Sequence, residues 1–388
     1  MEINDLINNT SVQKFFGITN IAEISNETME LIRLLEYCKF DKGENIVSCG
    51  ADAEDGMYII INGNATVLSQ NNKVIGKMHS GGFVGEMALI SGKKRSATVR
   101  ADEELQAVRI SRPLFNDVVK KNPECYTVFM ETLYANLTNV ISEQQRLKAE
   151  LDVARKIQES SLPKKFNNLG VEICATMTPA KAVGGDFYDI FNIDDKHVCV
   201  LVADVSGKGI SASLFMLMAK MVIKNYAKLN IPVNEVFERA NNELCENNEA
   251  NMFVTSFMGI LNTENGKFKY VNAGHNLPII LKGESKPEFI QAKPGFVLAG
   301  MENVKYKECE IKLDKNDAIF MYTDGVTEAQ NRNDELFSDE RLLKLFEDRN
   351  YKEMPVKDVL VDIQDEITKY SLGIEQSDDI TMLMFRIS

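Results

Sequence analysis

Four acidic sites stand at the borders of strongly apolar runs in the C-terminal half of the chain: Asp186 in "VGGDFYD", Asp204 in "LVADVSGKGI", Asp324 in "MYTDG", and the Asp378-Asp379 pair in "QSDDITM". A lone acid at a strand end is ordinarily a turn residue. Several beside strands too hydrophobic for the surface need another explanation. Gathered at one end of a sandwich they would repel one another, and buried carboxylates are tolerable only when cations neutralise them. All-oxygen ligation selects Mg²⁺ or Mn²⁺ over zinc, and neither Cys nor His neighbours these acids. Two such ions about 3.5 to 4 Å apart can clamp a phosphoryl group and deliver a bridging hydroxide to phosphorus, so hydrolysis of a phosphoester follows. Gly207-Lys208-Gly209 is no nucleotide loop, which needs two glycines four residues apart followed by Lys-Ser or Lys-Thr. It reads as a tight strand-to-helix turn.

The elements that must position these acids alternate in clusters. From Val171, strands are expected at "VEICATM", "DFYDIFN", "HVCVLVAD", "TSFMGILN", "KFKYVNAG", "DAIFMYTD" and "ITMLMFRI", with helices near 210–229, 233–248, 338–349 and 353–371. Strands in clusters, not in strict β-α-β order, predict an α+β sandwich. Residues 13–110 read mainly as short strands broken by Gly, Asn and Asp, which suits a compact β-roll. From Arg112 the pattern turns helical, with Pro113 suited to a first turn and Pro123 opening a second helix. Between Thr132 and Ser161 there is neither Gly nor Pro, and a heptad places Leu137, Gln144, Leu151 and Gln158 at one position and Val140, Leu147, Ala154 and Ser161 at another. About 30 residues at 1.5 Å each make a rod of ~45 Å. Its polar seam residues would fix register if two chains paired, so a dimeric signalling helix is expected, ending at Pro163. The expected domains are residues 1–130, a helical linker over 131–164, and residues 165–388.

With 388 residues, 44% hydrophobic and 26% charged, the chain has the composition of a globular protein of two or so domains. A formal net charge of −13 argues against nucleic acid as the main partner. The N-terminus lacks a basic segment followed by an apolar stretch, and no run approaches the ~18 apolar residues of a membrane span, so a cytoplasmic protein without a membrane partner is expected. The seven cysteines form no CxxC pair and read as reduced core residues.

"AVGGDFYDI", "VADVSGKGISASLFM", "VNAGHNLP", "MYTDGVTEA" and "SDDITMLM" occur in this order and together resemble the PPM (PP2C-like) serine/threonine phosphatases, in the bacterial branch of the sporulation phosphatase E and RsbU type. "ELDVARKIQESSLP" is similar to the linker that precedes this branch, so the resemblance covers about residues 145–388. It implies an α-β-β-α sandwich in which Asp204 bridges two metals, the Val205 carbonyl adds a ligand, and Asp324 and Asp378 complete the set. Asp186 would lie close through water, while Asp189, two residues on in an extended strand, faces the other way. Lys181 stands where eukaryotic relatives place a phosphate-binding Arg, and it joins Asp204, Asp324 and Asp378 as an expected catalytic residue. Ser206 replaces their proposed general-acid His, and Ala182 replaces an acid common in the branch. His275 is expected to be structural, and the helix launched after Gly209 to be mostly core with a regulatory second role.

"GGFVGEMALISGKKRSATV", residues 81–99, combines a glycine turn, a helical segment starting at Glu86, and Arg95 before small residues and a strand. An Arg beside the N–H groups of a helix start can hold an anion, and Glu86 can accept from a sugar hydroxyl. The stretch resembles the phosphate-binding cassette of cyclic nucleotide-binding domains, such as those of protein kinase A regulatory subunits and bacterial catabolite activators. The resemblance implies that Arg95, Ser96 and Ala97 hold a cyclic phosphate and Glu86 the ribose 2′-hydroxyl, with Gly85 also in the nucleotide site, cAMP favoured and cGMP possible.

Together these features predict a cyclic-nucleotide-regulated, two-metal phosphatase, dimeric through the linker, acting on phosphoserine or phosphothreonine of a protein, by resemblance an anti-sigma-factor antagonist. The alternative is a non-catalytic nucleotide-sensing scaffold with a degenerate phosphatase fold.

Overall fold

The computed structural model describes residues 3–121, 124–163, 170–246, 248–292 and 295–388, without the side chains of residues 121, 124–133, 135–137, 139 and 140. The expected helix opening at Pro123, the linker boundary at 164 and 165, and the Leu137 and Val140 side chains lie outside it. Packing divides the chain into Met1–Gln144 and Gln145–Ser388. The dividing point falls within one helix, Glu124–Ser161.

In the first unit two four-stranded sheets form the expected β-roll, one ordered Glu36–Phe40, Leu105–Ile110, Met57–Asn62, Phe83–Val84, the other Asn45–Val47, Thr98–Ala101, Ala65–Leu68, Val74–Met78. Ile46, Ile60, Val84, Val99 and Leu105 fill the space between them. The expectation of strands from residue 13 is corrected: Thr10–Phe16 and Asn26–Arg33 are helices, and the first strand begins at Glu36. Their caps explain why. The Asn9 side chain accepts from the Ser11 and Val12 amides, and Ser25 Oγ from the Thr28 amide, satisfying donors that each helix start leaves open. Val12, Phe15 and Phe16 are then buried with Met57, Ile59 and Phe115.

The second unit is the expected α-β-β-α sandwich. One antiparallel sheet is ordered Phe187–Asn192, His197–Val205, Val254–Asn262, Lys267–Ala273, Cys309–Lys312; the other is Glu288–Phe289, Ile279–Leu281, Ala318–Tyr322, Ile380–Ile387, Val171–Thr178. Such central strands, buried on both faces, read as continuous apolar runs. Helices Ile210–Ala227 and Val233–Glu246 cover the first sheet, and Val356–Tyr370 the second. Between the sheets Phe268 meets Phe385 with ring centroids 5.4 Å apart.

Among the described residues no helix is long and apolar enough to cross a membrane. The six described cysteines are free thiols, but only Cys199 is buried. The reading of the cysteines as core residues is therefore corrected for Cys38, Cys49, Cys174, Cys245 and Cys309, which are half-buried; Cys38, Cys174 and Cys309 lie at the margins of apolar clusters.

Candidate functional site

The acids arrive from several elements. Asp204 lies near the end of the strand His197–Val205, opposite Thr255 in the next strand. Asp186 precedes Phe187–Asn192, which pairs antiparallel with Asp204's strand and brings Phe187 opposite Ala203. Asp324 opens a short 3₁₀ turn after Ala318–Tyr322, and Asp378 lies just before Ile380–Ile387. Because those last two strands are hydrogen-bonded neighbours, Asp324 and Asp378 emerge at the same sheet end.

Crowding shows in their protonation. Burial, then the charges of Asp324 and Asp378, push the Asp204 carboxyl up to about 7, opposed by a hydrogen bond with Asp186. Burial, Glu328 and Asp378 push Asp324 up to about 6. Asp186 is raised well above the carboxylate range, by burial first and by Asp204 next. The acids are thus electrostatic neighbours. They do not form a closed shell as they stand: among the described residues no three His, Cys, Asp or Glu side chains converge as ligands of one ion. The donor set nevertheless fits hard divalent cations, being all oxygen and short of positive charge. The Val205 carbonyl is open on one side because Gly185 has no side chain; a Cβ there would stand 2.8 Å from that oxygen.

Positive charge comes from a residue the sequence reading took only as part of a turn. Lys208 Nζ lies 2.8 Å from Asp378 Oδ2 and donates to the Ser377 carbonyl at 2.7 Å. Gly207 and Gly209 on either side have φ of +89° and +83°, a left-handed region that favours glycine. Lys181 is exposed and has no hydrogen bond or ion pair among the described residues.

Around the acids is a scaffold of buried polar contacts. Thr323 Oγ1 donates to Asp186 Oδ2 at 2.7 Å and accepts from the Thr381 amide at 3.0 Å. Asp379 accepts from the Ala180 amide at 2.8 Å and the Gly185 amide at 2.7 Å, so it anchors the loop that carries Asp186. From the other side, Gln158 Nε2 donates to the Gly184 carbonyl at 2.7 Å, and Gln158 Oε1 accepts from the Gly184 amide at 3.1 Å. Arg155 Nε donates to the Ala182 carbonyl at 2.8 Å. The expectation that Gln158 is a seam residue between chains is corrected: it is 3% exposed, against its own chain. A heptad count cannot separate a polar seam position from one aimed at a loop backbone.

Three other sequence-singled residues resolve into structure. Asp189 is fully buried and ion-paired with Lys220 at 2.6 Å and Lys224 at 3.0 Å, facing the helix and not the acids. Ser206 Oγ accepts from the Phe253 amide at 2.9 Å, a lock between loops. His275 is buried, its Nδ1 2.8 Å from Thr255 Oγ1, and burial pushes its pKa down to about 4, so the imidazole is neutral. Beside Asp324 and Asp378, a cavity of about 230 Å³ is lined by Gly325, Ile367, Ile374 and Ser377 among others.

In the first unit, Gly85, Glu86, Arg95, Ser96 and Ala97 line one cavity of about 360 Å³, closed by Val67, Lys77, Met78 and Val84. Ser96 is exposed at its rim and Ala97 half-buried. Arg95 is turned inward: it donates to the Gly85 carbonyl at 2.6 Å and to the Gly56 carbonyl and Asp55 Oδ1 at 2.5 Å each. Gly85, with φ of +84°, makes room, since a Cβ would stand 2.2 Å from Arg95 Nη1. Burial pushes the Glu86 carboxyl up, with Arg95 opposing.

Comparison with known proteins accords with this division. Residues 194–388 match the family model "Stage II sporulation protein E (SpoIIE)", and residues 37–122 match "Cyclic nucleotide-binding domain". The chain is 30% identical over 244 residues to the phosphoserine phosphatase RsbU of Bacillus subtilis, covering 63% of this chain and 71% of that protein. It is 28% identical over 263 residues to protein IcfG of Synechocystis, covering 60% of this chain but only 41% of that protein. The SiaA-PP2C domain of Pseudomonas aeruginosa superposes with a TM-score of 0.57 at 19% identity, over 63% of this chain and 99% of that domain, a likeness of fold.

Proposed function

The chain belongs to the stage II sporulation protein E (SpoIIE) family, and on that premise we propose that it is a cyclic-nucleotide-regulated, Mn²⁺- or Mg²⁺-dependent serine/threonine protein phosphatase. The observation that carries this reading is the gathering of Asp186, Asp204, Asp324 and Asp378 at one end of the sandwich, with Asp204 pushed up to about 7 by burial, Asp324 and Asp378, and Asp324 to about 6 by burial, Glu328 and Asp378. Asp204, Asp324, Asp378 and the Val205 carbonyl would hold two divalent cations, with Asp186 alongside. When bound, such ions supply neutralising charge, a nucleophile at neutral pH and a clamp on phosphoryl oxygens.

The chain's own residues prepare this chemistry. Thr323 orients Asp186 through its hydroxyl, and Asp379 fixes the loop before it. Lys208, the cation beside Asp378, faces the same region. His275 is held neutral and buried, so it takes no proton from substrate at physiological pH. The substrate is phosphoserine or phosphothreonine on a protein, supported by the name of the RsbU relative; an anti-sigma-factor antagonist is the class proposed. The cavity around Arg95 would take the cyclic nucleotide, cAMP before cGMP, with Arg95, Ser96 and Ala97 toward the phosphate and Glu86 toward the ribose. Two chains would pair along the helix Glu124–Ser161, whose Ile141, Leu147, Val153 and Ile157 are exposed. The protein would act in the cytoplasm.

The test is p-nitrophenyl phosphate hydrolysis by the full chain with Mn²⁺, with and without cAMP, alongside Asp204→Ala. The expected result is turnover that disappears in the variant and changes with cAMP. Metal-dependent turnover that ignores cAMP would remove the regulatory half, and absent turnover with a phosphoprotein too would remove the catalytic half.

A further inference from the structure

We propose that Gln158 is a positioning residue for the acidic centre: through Gly184 it sets the placement of Asp186. The inference rests on the reading of that centre as a divalent-cation site, but its first test does not.

The loop between Val171–Thr178 and Phe187–Asn192 carries Asp186 and has no sheet partner of its own. Its buried amides and carbonyls must therefore find side chains, since an unpaired buried backbone group is costly. Gly184 needs a donor and an acceptor at once. A carboxamide is the side chain that offers both in the geometry of a peptide group. Gln158 supplies them, donating to the Gly184 carbonyl and accepting from the Gly184 amide, at 3% exposure. One turn earlier, Arg155 holds the Ala182 carbonyl.

The opposite side of the same loop is closed by Asp379. A Cβ on Gly184 would lie 2.3 Å from Asp379 Oδ2, and that oxygen accepts from the Gly185 amide at 2.7 Å. Gly184 and Gly185 are thus gripped between Gln158 and Asp379, two residues and one residue before Asp186. The Asp186 carboxylate itself is held by Thr323 and by hydrogen bonds with Thr381 and Asp204. Of the grips on Gly184, Gly185 and Asp186, Gln158 is the one that comes from outside the sandwich strands and their connections. It belongs to the last turns of the helix Glu124–Ser161. A change in the register or integrity of those turns therefore reaches Asp186 through two hydrogen bonds, without moving a sheet.

The experiment compares the full chain with Gln158→Met, which keeps volume and loses both hydrogen bonds, and Gln158→Glu, which keeps the acceptor but sets a carboxylate against the Gly184 carbonyl. Hydrogen exchange of the metal-free protein is read over residues 180–187, and Mn²⁺ affinity by calorimetry. The expected result for both variants is at least tenfold faster exchange in 180–187, exchange over 36–110 unchanged, and Mn²⁺ bound at least tenfold more weakly, with the melting temperature lowered because both Gly184 groups lose their partner. A merely structural glutamine would lower the melting temperature alike and leave Mn²⁺ affinity alone. Exchange and affinity both within twofold of the parent would overturn the proposal. If both variants fail to fold, Arg155→Met at the half-buried partner position decides: about threefold faster exchange in 180–187 sustains the proposal, and no change sinks it. A parent chain that binds no Mn²⁺ overturns the cation reading instead, and exchange alone then judges Gln158.

Discussion

The two polar centres of this chain are built on opposite principles. At the cavity of the first unit, Arg95 is a buried cation whose charge is already answered, by Asp55 and by the carbonyls of Gly56 and Gly85. At the strand ends of the second unit, carboxylates face one another with one half-exposed ammonium, Lys208, between them and neutrality. The first has its charge paired and its two terminal nitrogens bonded, with Arg95 Nε alone left without a partner among the described residues. The second stores repulsion that a cation would release. A site of the first kind loses stability when its key residue is removed, whereas a site of the second kind gains stability and loses function.

The largest expected effect sharpens that contrast. Asp204→Asn should lower phosphatase turnover by about a thousandfold or more, as removal of a ligand essential to metal-assisted chemistry does. The same change should raise the stability of the metal-free protein at pH 8 by about 1–2 kcal/mol, because it deletes a carboxylate whose ionisation is opposed by burial and neighbours. Chemical denaturation in EDTA reads the second effect, and an unchanged or lowered midpoint would break the comparison. Arg95→Leu should do the reverse in the first unit, destabilising it by about 1–3 kcal/mol because the Gly56 and Gly85 carbonyls lose their donor. Calorimetry of the full chain should show the first unit's transition lowered and cAMP binding lost.

A smaller effect concerns pH. His275 has its pKa lowered to about 4 by burial, below its ordinary value. The unfolded chain therefore takes up a proton that the folded one refuses, so stability falls as pH drops from about 6.5 toward 4, by about 3 kcal/mol in full. Relative to the parent, His275→Gln should be spared that loss, and melting temperatures of the two proteins between pH 7 and 4.5 should converge as pH falls. Parallel curves would contradict the neutral buried imidazole. Smallest of all, Lys208→Ala should tighten Mn²⁺ binding about two- to fivefold, since the ammonium competes through a surface ion pair worth about 1 kcal/mol or less. Weaker binding would show that Lys208 supports the site.

Much of the acidic centre was legible because acids that interrupt buried strands have few bland explanations. Asp186, Asp204, Asp324 and Asp378 all arrive where apolar runs end, and strand pairing does the rest. The division of labour within the Asp378-Asp379 pair was not legible. Both are carboxylates at one strand end, and only the register of Ile380–Ile387 turns Asp379 toward the amides of Ala180 and Gly185. Gln158 was hidden for a similar reason, since its heptad position suits a seam between chains equally well. Lys208 read as a turn residue because its partner is 170 positions away in sequence, Asp378 being brought in by the fold. The early helices were missed because residues 10–33 carry brief apolar periodicity, and the caps Asn9 and Ser25 were the available signal. Arg95 was legible as an anion-holding residue, but its burial was not, because its inward partners Asp55 and Gly56 lie 40 and 39 residues away.

The most direct test of the central claim is phosphate release from a phosphoserine peptide by the full chain, titrated with Mn²⁺ and compared with Asp204→Ala. The expected result is release that rises with Mn²⁺, stops with EDTA and is absent in the variant. Release that persists in Asp204→Ala, or an absence of release by the parent at saturating Mn²⁺, would contradict it.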